Sequence, residues 1–96
     1  MAIFKEMTDD KGQVTAYHRI TSYTLAFMGE TPTLDVSLAD YTSEQYRNVE
    51  KADWTKNTQV KFSRFFLPVR EDDTYTRTAL YGAVMALPEF EGSQMA

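Results

Sequence analysis

His18 is the only histidine in the chain. It sits in the run VTAYHRI, on the same side as Val14, Ala16 and Ile20 if that run is extended. One imidazole acts as a general base only beside a group that orients it. Asp35 and Asp40 are the nearest acidic candidates, and nothing in the spacing sets either of them against it. The plainer role is a half-buried ring hydrogen-bonded to backbone or to a tyrosine. A single histidine excludes the two-histidine zinc pair, and the absence of cysteine excludes disulfides, thiolate chemistry and sulfur-based zinc sites.

Paired carboxylates occur at Asp9-Asp10 and Asp72-Asp73. Such pairs serve glycoside hydrolysis or divalent cations in other settings. Here the first pair precedes Lys11-Gly12 as in a turn, and the second stands where a helix begins. Neither has the spacing of a calcium-binding loop, and no glycine-rich phosphate loop, nucleophile elbow or kinase motif is present. The expectation is therefore no catalytic residue, no metal and no cofactor.

Aromatic residues are the more informative set: six Tyr, six Phe and one Trp. Tyr17, Tyr41, Tyr46, Trp54 and Tyr81 cannot all be central core in a domain this small. Tyr, Trp and Arg enrich protein interfaces, because they bury a large area and keep a polar handle. Arg19, Arg47, Arg64 and Arg77 supply the cationic partners. The candidate protein interface is accordingly Tyr17, Arg19, Tyr41, Tyr46, Arg47, Trp54 and Tyr81. Covering sheet edges is the competing role for several of them. Nucleic acid is disfavoured as a partner, since the net charge is −4 and Glu44, Glu50 and Asp53 offset Arg47, Lys51 and Lys56.

The elements that must position these groups follow from periodicity. Residues 72–90 carry a helical stripe of Tyr75, Ala79, Leu80, Ala83, Val84 and Leu87, with Asp72 or Asp73 as cap and Pro88 as stop. Such a helix is on the order of 22 Å long. Gly82 inside it implies close backbone approach, to the sheet or to a neighbouring subunit. Residues 2–7 and 14–21 form a hairpin across the turn at 8–12, and 22–31 either continue the second strand or bend it. Residues 33–41 alternate cleanly, with Leu34, Val36 and Leu38 inward. Residues 42–57 are a polar insertion, either a short helix with a Thr42–Gln45 capping box and a Tyr41–Tyr46 staple, or a mobile arm. Residues 58–69 are a strand in which Phe65-Phe66-Leu67 breaks alternation, by a bulge or by cover on both faces. Residues 91–96 are a flexible tail. The fold class is α+β: an antiparallel meander of three to four strands covered by one C-terminal helix, in a single domain 1–96. No run approaches the roughly 20 apolar residues of a membrane helix, and no signal opens the chain.

The order of these elements, with VTAYHRI, LADYTSEQYR and the closing ALYGAVMALPEF, resembles small structural proteins of tailed bacteriophages and prophages, of the tail or baseplate gene module. The likeness runs from Ile3 to about Ser93. It implies a virion or tail-assembly component acting through protein–protein contacts and self-association as a homo-oligomer, with other phage structural proteins as partners and neither nucleic acid nor membrane. It further implies the bacterial host cytoplasm during assembly and then the virion. The alternative from another class is a small acidic phage protein that binds and inhibits a host protein such as a defence nuclease.

Overall fold

The computed structural model describes residues 1–27, 29–69 and 75–96. In chain order it contains β1 (Ile3–Thr8), β2 (Val14–Ala26), β3 (Thr33–Tyr41), α1 (Glu44–Ala52), β4 (Lys61–Pro68), α2 (Arg77–Met85), a 3-10 turn (Pro88–Phe90) and β5 (Gln94–Met95). The five strands make one antiparallel sheet in the order β4-β3-β2-β1-β5. The first four strands are a meander. The chain then leaves one edge of the sheet at β4, crosses a face through α2, and returns at the opposite edge as β5. This is the expected α+β class, corrected to five strands and two helices rather than three or four strands under a single helix.

The β1–β2 turn is set by Asp9. Its side chain accepts the Lys11 and Gln13 N–H groups at 2.9 and 2.8 Å, and Gly12 takes the left-handed φ of 81°. These bonds, the Gln13 N–H foremost, hold the Asp9 carboxyl below its ordinary pKa. Asp9 therefore plays the turn role expected of it. β2 continues through the ambiguous 22–26 stretch, with a register shift between Ile20 and Ser22. Beyond that bulge Tyr23 and Leu25 pair with Val36 and Leu34.

On one face Ile3, Leu34, Val36, Leu38 and Leu67 of the strands pack against Leu80, Tyr81 and Val84 of α2 and Phe90 of the 3-10 turn. A smaller cluster of Ala2, Tyr17, Ala39 and Tyr41 lies on the other face, at the end where α1 sits. The period-two pattern of β3 explains both, since Leu38 and Asp40 face α2 while Ala39 and Tyr41 face α1.

Several expected boundaries are corrected. The covering helix begins at Arg77, with Thr76 accepting the Ala79 N–H at 3.1 Å, and ends at Met85. It is about 14 Å long, so the 3-10 turn shares the work of covering the sheet. Asp72 and Asp73, the expected caps, lie outside the described residues. Gly82 has nothing within 4 Å of where a Cβ would stand, so the sheet does not require a glycine there. The polar insertion resolves into α1, capped by Ser43 without a side-chain bond, so the Thr42–Gln45 box does not form. Phe65, Phe66 and Leu67 keep an unshifted register with Val36, Asp35 and Leu34, and Phe66 is exposed; neither a bulge nor two-sided cover is needed. The expected loose tail instead pairs Met95 and Gln94 with Ile3 and Phe4, and the Ala96 N–H donates to the Ala2 carbonyl at 2.9 Å.

Candidate functional site

His18, the chain's single imidazole, has a carboxylate beside it. His18 and Asp40 are cross-strand partners on β2 and β3, with Nδ1 2.6 Å from Asp40 Oδ1. Ser63 of β4 donates to the other Asp40 oxygen, and His18 Nε2 lies 2.8 Å from the Lys5 carbonyl. Both ring nitrogens thus face oxygen acceptors, and both bonds are made when both nitrogens carry hydrogen. The pair is buried beneath Phe90, whose ring meets the imidazole edge to face at 5.5 Å. None of the described pockets is lined by His18, Asp40 or Ser63. The group is a buried polar bolt across three strands. The sequence reading left such a pair unpositioned, and the strand register supplies it.

The seven candidate interface residues divide. Tyr17, Arg19, Tyr41 and Arg47 gather on the α1 side of the sheet, and Tyr81 reaches the same recess from α2. The Tyr17 and Tyr41 rings meet edge to face at 6.0 Å, and the Arg47 guanidinium lies 6.0 Å from the Tyr41 ring centre. Glu50 ties the group together: Oε1 accepts from the Tyr41 hydroxyl at 2.9 Å and Arg47 at 2.8 Å, with Arg19 at 3.5 Å. Tyr17, Tyr41 and Tyr81 are buried, which corrects their expected exposure. Burial pushes the Tyr17 and Tyr81 phenols above their ordinary pKa, so both keep their hydrogen at neutral pH. Tyr46 is half exposed on α1. Trp54, in the turn after it, is 83% exposed. Asp53 shapes that turn by accepting from the Thr55 N–H and hydroxyl at 3.1 and 2.7 Å, which lowers its own pKa.

Other exposed groups were not on the expected surface. β4 is the outermost strand and pairs only with β3 among the described residues. It turns Phe62 (61% exposed), Arg64 and Phe66 (59%) to the face away from α2. Arg64 donates to both Asp35 oxygens on β3, through Nε at 3.3 Å and through Nη2. The pairing lowers the Asp35 pKa and raises that of Arg64. The Phe-x-Arg-x-Phe spacing is visible in the sequence and is the signal for this outward aromatic row. A second open edge is the outer side of β2 past His18, where β1 stops pairing. There the Tyr81 hydroxyl accepts the Ile20 N–H at 2.9 Å. A groove of about 370 Å³ runs between this half-strand and α2.

Among the described residues no cluster of His, Asp or Glu has the make-up of a metal site, and no helix is long and apolar enough to cross a membrane. No family model, curated protein or solved structure matches the chain.

Proposed function

We propose that this protein is a self-associating structural component, of the tail-assembly kind that its resemblance to small phage proteins implies, and that it acts by protein–protein contact. The observation that carries the reading is the open β4 edge with Phe62 and Phe66 standing out from it. An exposed aromatic edge strand is a ready template for another strand, and natural proteins blunt such edges when they are not used. Lys61 and Arg64 are the charges on this strand, and Arg64 is already neutralised by Asp35. The occupant we assign is β4 of a second copy, antiparallel about a two-fold axis. With the axis at Arg64, Phe62 of each copy stands opposite Phe66 of the other, because both lie two residues from the centre. Aromatic cross-strand pairs of this kind stabilise an antiparallel contact.

The test is the mass of the native protein against concentration, by light scattering and native mass spectrometry. The wild type is expected as a dimer. The Phe62→Lys/Phe66→Lys variant is expected as a monomer with an unchanged circular dichroism spectrum, since both side chains are exposed. A wild type that remains monomeric at high micromolar concentration overturns the reading. The assembly role is tested by copurification from a phage-producing lysate. Recovery of tail or baseplate proteins supports it, and recovery of one stoichiometric host protein alone replaces it with the inhibitor.

A further inference from the structure

Four cations from three elements converge on one recess at the α1 end of the sheet. Arg19 comes from β2, Arg47 and Lys51 stand one turn apart on α1, and Arg77 opens α2. With Tyr17 and Tyr81 they line a cavity of about 240 Å³. The convergence runs against the chain's net charge of −4. Among the described residues no acidic side chain lines the recess. Glu50, behind it, engages Arg47 and Arg19. Lys51 and Arg77 have no ion-pair partner among the described residues, and the buried Nε of Arg19 has no hydrogen-bond partner. The Tyr81 hydroxyl accepts the Ile20 N–H, which leaves its own hydrogen to donate. Like charges held this close repel one another, and a bound anion removes that cost.

We propose that this recess binds a phosphate-class oxyanion: inorganic phosphate, pyrophosphate or the phosphoryl end of a small phosphorylated molecule. Guanidinium groups grip phosphate oxygens in pairs, while the lysine supplies a point charge. The uncompensated charge at Lys51 and Arg77 matches a dianion or higher rather than a single carboxylate. At about 30 Å³ per water-sized volume, the space suits a diphosphate and excludes a folded segment of another protein.

The experiment is a titration of the full chain with pyrophosphate at constant ionic strength, followed by NMR of the arginine Nε–H and Tyr81 signals. A saturable one-site response confined to the recess is expected. The Lys51→Gln/Arg77→Gln variant, whose altered side chains make no ion pair among the described residues, is expected to keep its melt and to lose affinity by about tenfold or more, the equivalent of roughly one lost charge-assisted bond. An unsaturable response, one matched by chloride, or one unaffected by the double variant overturns the proposal. A nucleoside diphosphate that binds tighter than pyrophosphate points to a phosphorylated metabolite, and equal binding points to the bare phosphoryl group; both support the site. Tighter binding of a single-stranded oligonucleotide, with shifts spreading beyond the recess, replaces it with a nucleic-acid surface. The readout does not depend on oligomeric state, so it stands or falls apart from the β4 contact.

Discussion

Replacing His18 and Asp40 singly and together by leucine tests the polar bolt under α2. His18→Leu leaves the Asp40 carboxylate buried with Ser63 as its remaining side-chain partner. Removing one member of a buried pair typically costs about 3–5 kcal/mol, because a charge is left without compensation. Asp40→Leu strands the imidazole and the Ser63 hydroxyl in the same way and is expected to cost a similar amount. The double variant removes the whole pair and puts two apolar side chains in adjacent, buried positions facing Phe90. Its residual cost is the lost partner of the Lys5 carbonyl and of Ser63, at most about 1–3 kcal/mol for each of these part-buried groups. The two single costs therefore sum to roughly 6–10 kcal/mol, and the double falls well short of that sum. A domain of this size has about 5–14 kcal/mol of stability in total, so each single variant sits near the edge of folding. Urea unfolding in a stabilising osmolyte keeps them measurable. Far-ultraviolet circular dichroism is the right probe, since Trp54 is 83% exposed and its fluorescence reports little of the core. Additive losses, or single losses below about 1 kcal/mol, would refute the claim that the two residues act as one buried unit.

Gly82→Ala is expected to stabilise the protein by up to about 1 kcal/mol, raising the melting temperature by about 4–8 °C, because the new methyl meets open space inside a helix. A lower melting temperature, or a change in oligomer mass, would place Gly82 against a neighbour. Asp35 is expected to titrate below the ordinary aspartate range, because Arg64 holds its charged form. Its contribution is fully present above the unfolded pKa and is lost as pH falls through the depressed folded one. NMR titration of the carboxyl checks this, and Arg64→Gln should return Asp35 to the ordinary range; an Asp35 unmoved by that change would disprove the pairing.

Local patterns in the chain were legible where neighbouring residues settle the outcome. Asp9 and Gly12 announce the first hairpin, Leu34, Val36 and Leu38 announce the inward face of β3, and Leu80 and Val84 mark the buried side of α2. The limits of that helix were not, because Thr76 provides its cap and it ends at Met85, ahead of the 3-10 turn that Pro88 opens. β5 was illegible for a different reason: its pairing with β1 is made by backbone groups, and its two exposed side chains give no sign of it. The His18–Asp40 contact depends on the register of β2 against β3, across 22 residues. The basic recess depends on still more distant placements. Arg47, Glu50 and Lys51 read as mutually cancelling along the chain, yet the helical turn puts Arg47 and Lys51 beside Arg19 and Arg77. The aromatic row of β4 could have been found, since Phe62, Arg64 and Phe66 alternate as an exposed strand face should.

The return of the chain to β1 has a bearing on the order in which the domain assembles. The pairings from β1 to β4 join neighbours in sequence, and each needs only a modest loop to close. The Lys5–Glu91 contact beside the β1–β5 pairing spans 86 residues. Closing a loop of that size costs about 2 kcal/mol more than closing one of ten residues. The meander therefore forms early and the last strand docks only after α2 has crossed the sheet. Amide protection at Gln94–Met95 would then report the completion of the whole domain, and its loss would be the first sign of opening.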